Sequence, residues 1–279
     1  MNFLAALALA LTFAASSVHA PASNGDAQAA RPSLVLSDCE VPGIKGRARC
    51  GTYEVFENRD ARVGRKISLK VVVLPATGAE RAPDPYFYIP GGPGSSAVED
   101  APGVAQELTK IRERRDLVFL DQRGTGGSNP LNCPLFDPAD IQSYLEAFLP
   151  LEATRRCRTL LEPKADLKLY TTPFAADDMN EVRAALGYER INLYGASYGT
   201  RAALVYMRRH PASVRTATLH GVLPTDELIT LAYAEDAQRA LDGVLGECER
   251  DPACRAAFPR VREDARAAFA RLRRGPVEV

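Results

Sequence analysis

Apolar positions come in short uninterrupted runs separated by amphipathic stretches and glycine-rich turns, and this alternation sets the first expectation of the fold. Lys66–Leu74 has the β-branched character of a strand, and Tyr86–Ile89 is a shorter apolar one. Leu117–Leu120 (LVFL) is apolar throughout, as strands buried on both faces of a parallel sheet are. Ile191–Tyr194 and Val214–Leu219 extend the series. Between the strands, residues 99–114 read as a helix, and Thr200–Arg209 as another with Ala202, Ala203 and Met207 available for packing. Asp178 and Glu181 resemble an N-terminal cap and its partner, opening a helix that runs to Leu186 and stops at Gly187. Residues 130–172 are less regular. Strands alternating with helices imply an α/β fold, a mostly parallel sheet flanked by helices.

After Pro224 the pattern becomes helical. Residues 226–249 place Leu241, Val244, Leu245 and Cys248 on one face, and residues 258–273 place Phe258, Val261, Ala265, Phe269 and Leu272 at helical spacing before Gly275–Pro276 ends the run. These stripes are expected to be packing surface. The expected division is therefore a core over 38–224 and a helical unit over 225–279.

The start of the chain has a different character. Phe3–Ala15 is almost wholly apolar, and Val18-His19-Ala20 puts small residues where a signal peptidase reads, so residues 1–20 are expected to be a secretory signal cleaved after Ala20. Residues 21–37, rich in Ala, Ser and Pro, read as a flexible start to the mature protein. The expected location is the periplasm or the exterior, with no membrane attachment after cleavage.

Lys+Arg equals Asp+Glu at 35 each, so no global basic field exists to attract nucleic acid or an anionic membrane. The arginines at 271, 273 and 274 read as a solvated helix face. Six cysteines follow the signal, an even count that in an exported chain points to disulfides. Sequence leaves many connectivities open, but the cysteines fall into close successive pairs, which gives Cys39–Cys50, Cys133–Cys157 and Cys248–Cys254 as the expected set. With no C-x-x-C and only three histidines, a zinc site is not expected, and neither is any other metal or cofactor.

Gly195-Ala196-Ser197-Tyr198-Gly199 is a G-x-S-x-G between a buried strand and a helix, the context in which a tight turn lifts a serine hydroxyl above the sheet edge. Ser197 is thus the candidate nucleophile, and the backbone N–H of Tyr198, at a helix N-terminus, a candidate oxyanion donor. Pro90-Gly91-Gly92-Pro93-Gly94 follows a strand, and a loop so free of side chains lets N–H groups approach an oxyanion, making Gly91 or Gly92 the second donor. It lacks the Lys-Ser/Thr of a phosphate loop and the G-x-G-x-x-G of a dinucleotide site. Asp121-Gln122-Arg123-Gly124 ends a strand, and an Asp121–Arg123 contact is expected to fix that loop, in a structural role.

In this order and spacing, Pro90–Gly94, Asp121–Ser128, Asn192–Thr200 (NLYGASYGT) and Cys248–Pro259 resemble the tripeptidyl-aminopeptidase and proline-iminopeptidase branch of the α/β-hydrolases, over roughly residues 38–279. The resemblance implies an α/β-hydrolase core, a helical cap beginning near residue 225, and an exported enzyme that clips residues from peptide N-termini through an acyl-enzyme at Ser197, with a peptide as its partner. Proline at Pro90 is typical of the tripeptidyl-aminopeptidase side, whereas His220 stands where the family usually has Asp. The family's catalytic Asp and His come after the cap on later strands, and nothing in this chain matches them, so the fold is expected to be incomplete.

A serine hydroxyl is a poor nucleophile without a base. His210 lies about 13 residues and about 20 Å of helix rise beyond Ser197. His220 ends the next strand on the side where the site is built, so it is the in-chain alternative base, although a surface or structural role is expected. The alternatives to an aminopeptidase are an esterase or lipase using the same machinery, and an inactive relic lacking the acid and histidine. An epoxide hydrolase or dehalogenase would need a carboxylate at position 197.

Overall fold

A computed structural model describes residues 34–136, 139–141, 143 and 149–275. The signal segment, most of the segment 21–37 and Pro276 lie outside these residues. The strands are β1 (Ser37–Cys39), β2 (Ala48–Phe56), β3 (Lys66–Leu74), β4 (Tyr86–Ile89), β5 (Leu117–Leu120), β6 (Ile191–Ala196) and β7 (Val214–His220). The helices are α1 (Ala97–Glu107), α2 (Thr109–Arg112), α3 (Leu151–Leu161), α4 (Thr172–Ala185), α5 (Tyr198–Arg209), α6 (Ile229–Arg250), α7 (Pro252–Ala257) and α8 (Val261–Leu272).

One sheet takes the order β1-β2-β3-β5-β4-β6-β7. β5, β4, β6 and β7 run parallel, while β1, β2 and β3 form an antiparallel flank joined to β5. Period-2 alternation divides the side chains between the two faces. Val71, Val73, Val118 and Leu120 meet Ala176, Met179 and Val182 of α4 and Ala202, Ala203 and Tyr206 of α5. Val72, Leu74, Leu117 and Phe119 meet Ala97, Val98, Ala101 and Val104 of α1 on the other face. Helices on both faces explain why β5 is apolar at every position.

The expected helix over 99–114 is two helices. It starts earlier because Ser96 caps α1, accepting the Glu99 N–H at 3.1 Å, and it breaks at Leu108. The antiparallel flank adds two strands, β1 and β2, to those read from the sequence. The helical unit begins at Ile229; its expected second helix over 258–273 is α8, and a short α7 that was not expected precedes it, capped by Asp251. Its apolar stripes are only partly packing surface: Leu241, Leu245 and Ala265 line a groove of about 310 Å³ between α6 and α8, whereas Val244 and Phe258 are 65% and 57% exposed. Disulfides join Cys39 to Cys50 across β1–β2, Cys133 to Cys157, and Cys248 to Cys254 between α6 and α7.

The Asp178–Glu181 capping signature is a misreading. α4 begins six residues earlier, at Thr172, with Pro173 in its first turn. Asp178 is buried in the middle of that helix and takes a bidentate guanidinium, with Arg123 Nε to Oδ2 at 2.6 Å and Nη2 to Oδ1 at 2.9 Å. Arg59 reaches both Asp178 and Glu181. Burial pushes the Asp178 carboxyl up, and the guanidiniums of Arg123 and Arg59 pull against it. Arg123 spends its remaining donors on Glu57 O and Leu169 O, at 2.9 Å each, and lies over the Phe174 ring. The expected Asp121–Arg123 contact is therefore not made, because each side chain is fully engaged elsewhere.

Removing one member of a buried pair leaves the other charged and unpaired. Asp178→Ala is expected to lower stability by about 3–5 kcal/mol in urea unfolding, far more than a surface pair such as Arg158–Glu162. Among the described residues, β7 is bonded to β6 alone, and Arg215, Thr216, Thr218 and His220 on it are exposed. Such an edge invites pairing with other chains. The chain is expected to self-associate at micromolar concentration, and Thr218→Lys to shift it toward monomer in sedimentation velocity.

Candidate active site

The sheet order reverses around β4, which lies between β5 and β6 although it precedes both in the chain. In such sheets the crevice beyond the strand ends at this switch point is where ligands bind. The glycine loop leaves β4 there, and Ser197 leaves β6 beside it. β4 and β6 pair in parallel with Ile89 opposite Gly195, which brings both strand ends to one level.

Each glycine of the G-x-S-x-G has a steric reason. A Cβ on Gly199 would sit 2.8 Å from Ile89 C and from Pro90 O, and nearer still to Ile89 O. A Cβ on Gly195 would sit 2.5 Å from Gly199 O. The start of α5 can lie on the end of β4 only without side chains. Within this turn Ser197 adopts φ 52° and ψ −120°, a region costly for any residue with a Cβ. Its N–H donates to His220 O at 2.8 Å, and its carbonyl accepts from Thr200 N at 2.9 Å and Thr200 Oγ1 at 2.7 Å. Ser197 is exposed, and no hydrogen bond to its Oγ occurs among the described residues.

Of the two candidate donors in the loop, Gly91 is the one against the serine. A Cβ there would lie 3.2 Å from Ser197 Cβ and 3.8 Å from Oγ, whereas the neighbours of Gly92, at φ +104°, are the loop's own Gly94 and Ser95. Tyr198 opens α5, and its phenol bonds Thr172 Oγ1 at 2.7 Å, tying the turn to the first residue of α4.

Asp121 supports the loop from beneath. It is wholly buried, and Oδ1 accepts from Ser96 Oγ at 2.7 Å and Val98 N at 3.1 Å while Oδ2 accepts from Gly127 N at 2.8 Å. The carboxylate sits at the N-terminus of α1, where the helix dipole favours it. Sequence reasoning placed Asp121 near Arg123 and missed Ser96, Thr172 and Thr200 altogether. Ser96-Ala97-Val98-Glu99 has the spacing of a helix-capping signal that could have marked Ser96, whereas the bonds of Thr172 to Tyr198 and of Thr200 to Leu223 join residues distant in the chain and leave no motif.

Neither described histidine bonds the Ser197 hydroxyl. His210 is held at the far end of α5, with Nε2 2.8 Å from Asp177 Oδ1. Burial pushes the Asp177 carboxyl up, but hydrogen bonds from Arg209 and His210 outweigh it and leave the group below its usual range. His220 serves the turn through its carbonyl, and its side chain is exposed.

A family model described as the alpha/beta hydrolase fold matches residues 87–257, a span that holds the glycine loop, Asp121 and Ser197. The chain belongs to the alpha/beta hydrolase family. It is 32% identical over 228 residues to serine protease Hip1 of Mycobacterium tuberculosis, covering 76% of this chain and 43% of that protein. It is 30% identical over 237 residues to the tripeptidyl aminopeptidase of Streptomyces lividans, covering 78% and 43%. A carboxylesterase B of M. tuberculosis is 32% identical over 228 residues, covering 74% and 43%. The chain thus spans less than half the length of these curated relatives. Among solved structures, the proline iminopeptidase of Mycobacterium smegmatis superposes with a TM-score of 0.37 at 20% identity, over 60% of this chain and 42% of that one.

The glycines can be tested directly. Gly199→Ala is expected to cost on the order of 3 kcal/mol or more, since backbone must move to admit the methyl. Gly103→Ala, on the exposed side of α1 with nothing near its Cβ, is expected to stabilise by about 0.5–1 kcal/mol. Thermal melts of the two variants beside the parent measure the contrast.

Proposed function

We propose that Ser197 is the nucleophile of an exported serine hydrolase acting on peptides with a free N-terminus. The observation that carries this reading is the Ser197 turn itself, with φ 52° and ψ −120°, the hydroxyl exposed and Gly91 packed against it. In the reaction, Ser197 Oγ attacks the scissile carbonyl. A base takes the Oγ proton, and the backbone N–H of Tyr198 and one from the Gly91–Gly92 loop receive the oxyanion. The C–N bond then breaks as the base returns that proton to the leaving amine, giving the acyl-enzyme that water hydrolyses. The relatives named as a serine protease and a tripeptidyl aminopeptidase support peptide bonds as the target. The relative named carboxylesterase B keeps an ester substrate as the second reading. The disulfides are consistent with export, and among the described residues no helix is long and apolar enough to cross a membrane.

Nothing on this chain matches the family's catalytic Asp and His, so its own turnover is expected to be slight. Loss of the histidine costs on the order of 10⁶ in kcat in subtilisin, while the oxyanion hole and binding still leave about 10³–10⁴ over water. An exogenous base therefore tests the reading. A fluorophosphonate probe is expected to label the chain faster as free imidazole is raised, and Ser197→Ala is expected to abolish that labelling. Equal labelling of both proteins at every imidazole concentration would remove Ser197 as the nucleophile. Under the same conditions, faster release from a free tripeptidyl p-nitroanilide than from its N-acetyl form supports an aminopeptidase. Turnover of p-nitrophenyl butyrate alone supports the esterase.

A further inference from the structure

Both peptide groups flanking Ser197 hang from one segment of chain, the stretch from the last residue of β7 to the start of α6. On the amino side, Ser197 N donates directly to His220 O at 2.8 Å. On the carboxyl side the connection passes through Thr200, which is 0% exposed. Its hydroxyl donates to Ser197 O at 2.7 Å and accepts from Leu223 N at 2.8 Å, so one oxygen joins the serine carbonyl to the linker. The next residue of α5 grips the same linker further on, with Arg201 Nη2 donating to Thr225 O and, at 3.1 Å, to Glu227 O. The unfavourable dihedral pair at Ser197 lies between the two anchors. Because a strained conformation persists only where its surroundings over-determine it, the linker into the helical unit is part of what fixes the serine.

We propose that Thr200 and Arg201 are positioning residues that couple the helical unit to the Ser197 turn. Displacing the linker pulls on Leu223 N–H, releases the Thr200 hydroxyl and loosens the Ser197 carbonyl, which moves the adjoining Tyr198 N–H. Occupation of the helical unit by a substrate would then be felt at the nucleophile without any contact between the two. Neither residue touches substrate in this scheme. The functional consequence rests on the reading of Ser197 as nucleophile, whereas the mechanical coupling does not.

Amide hydrogen exchange read by mass spectrometry on the whole chain, at sub-micromolar concentration, tests the coupling without requiring Ser197 to react. Thr200→Val keeps the side-chain shape and removes both hydroxyl bonds. It is expected to speed exchange roughly tenfold in both the 195–203 and 221–228 segments while β3 stays protected. Thr200→Ser, which retains the hydroxyl, is expected to match the parent, and Arg201→Ala to loosen both segments by roughly threefold. Faster exchange in the linker with the 195–203 segment unchanged overturns the proposal, as does a Thr200→Ser variant as loose as Thr200→Val. Should Thr200→Val fail to fold, Arg201→Ala decides on the same two segments. Imidazole-assisted labelling supplies the chemical readout: Thr200→Val is expected to slow it roughly tenfold and Thr200→Ser to restore it. Unchanged labelling in a chain whose turn has loosened overturns the positioning role while leaving the nucleophile in place.

Discussion

The approach of α5 to the end of β4 is the constraint from which the site follows. Backbone meets backbone there, with Gly199 over Ile89 and Pro90 and Gly195 under Gly199, and no side chain fits at either glycine. Once α5 is seated so closely, the chain leaving β6 must reverse within one residue, and Ser197 takes the unfavourable dihedrals that the reversal demands. A residue so placed costs on the order of 1–3 kcal/mol. The cost is offset by close packing of Ala202, Ala203 and Tyr206 against the sheet and by the hydrogen bonds at both sides of the serine. The same seating brings Gly91 against Ser197 Cβ, so Ser197 and the glycine loop are positioned by one contact.

Two buried carboxylates hold the surrounding loops by different means. Among the described residues, no cation hydrogen-bonds Asp121. It is compensated by backbone N–H groups, the Ser96 hydroxyl and the N-terminus of α1, an arrangement that fixes where the glycine loop must end. Asp178 instead meets guanidinium groups, and Arg123 completes its own bonding on Glu57 and Leu169 carbonyls. The first carboxylate anchors Ser96 and Val98, where the chain leaving the glycine loop enters α1. The second ties the chain after β5 to α4, the helix whose first residue holds the Tyr198 phenol.

Strands β3 to β7 were legible because each is a run of β-branched or apolar residues beside a turn signal, and the serine turn because its glycines have no other reason to flank a serine between a strand and a helix. β2 was hidden. It holds Gly51, whose missing side chain admits the Val35 carbonyl, and only its second half alternates, with Tyr53 and Val55 buried. The Asp178 signature misled because a carboxylate three residues before a glutamate looks the same whether it caps a helix or binds an arginine 55 residues away. Long-range pairing of that kind leaves no periodic trace. Thr200 is hidden for the same reason: a threonine after G-x-S-x-G declares nothing until the chain returns, 23 residues later, to place Leu223 N–H on its hydroxyl.

The groups that shape the Ser197 turn all lie between Ile89 and Glu227, within the described chain. None of them is a base or an acid in the proposed reaction. Conformation and activation of the serine are therefore separable. The geometry is set by glycines, two backbone acceptors and a buried hydroxyl, while the rate depends on whatever accepts the serine proton. In the proposed reaction, absence of the base would remove turnover but not the shape of the Ser197 turn. Among the described residues, the exposed apolar side chains of α6 and α8, the open side of β7 and a Ser197 hydroxyl without a hydrogen bond then describe a preformed turn rather than a collapsed one. The strain at Ser197 is sustained by packing on the β4 side of the sheet and by the linker on the other, and neither support requires the proton acceptor to be in place.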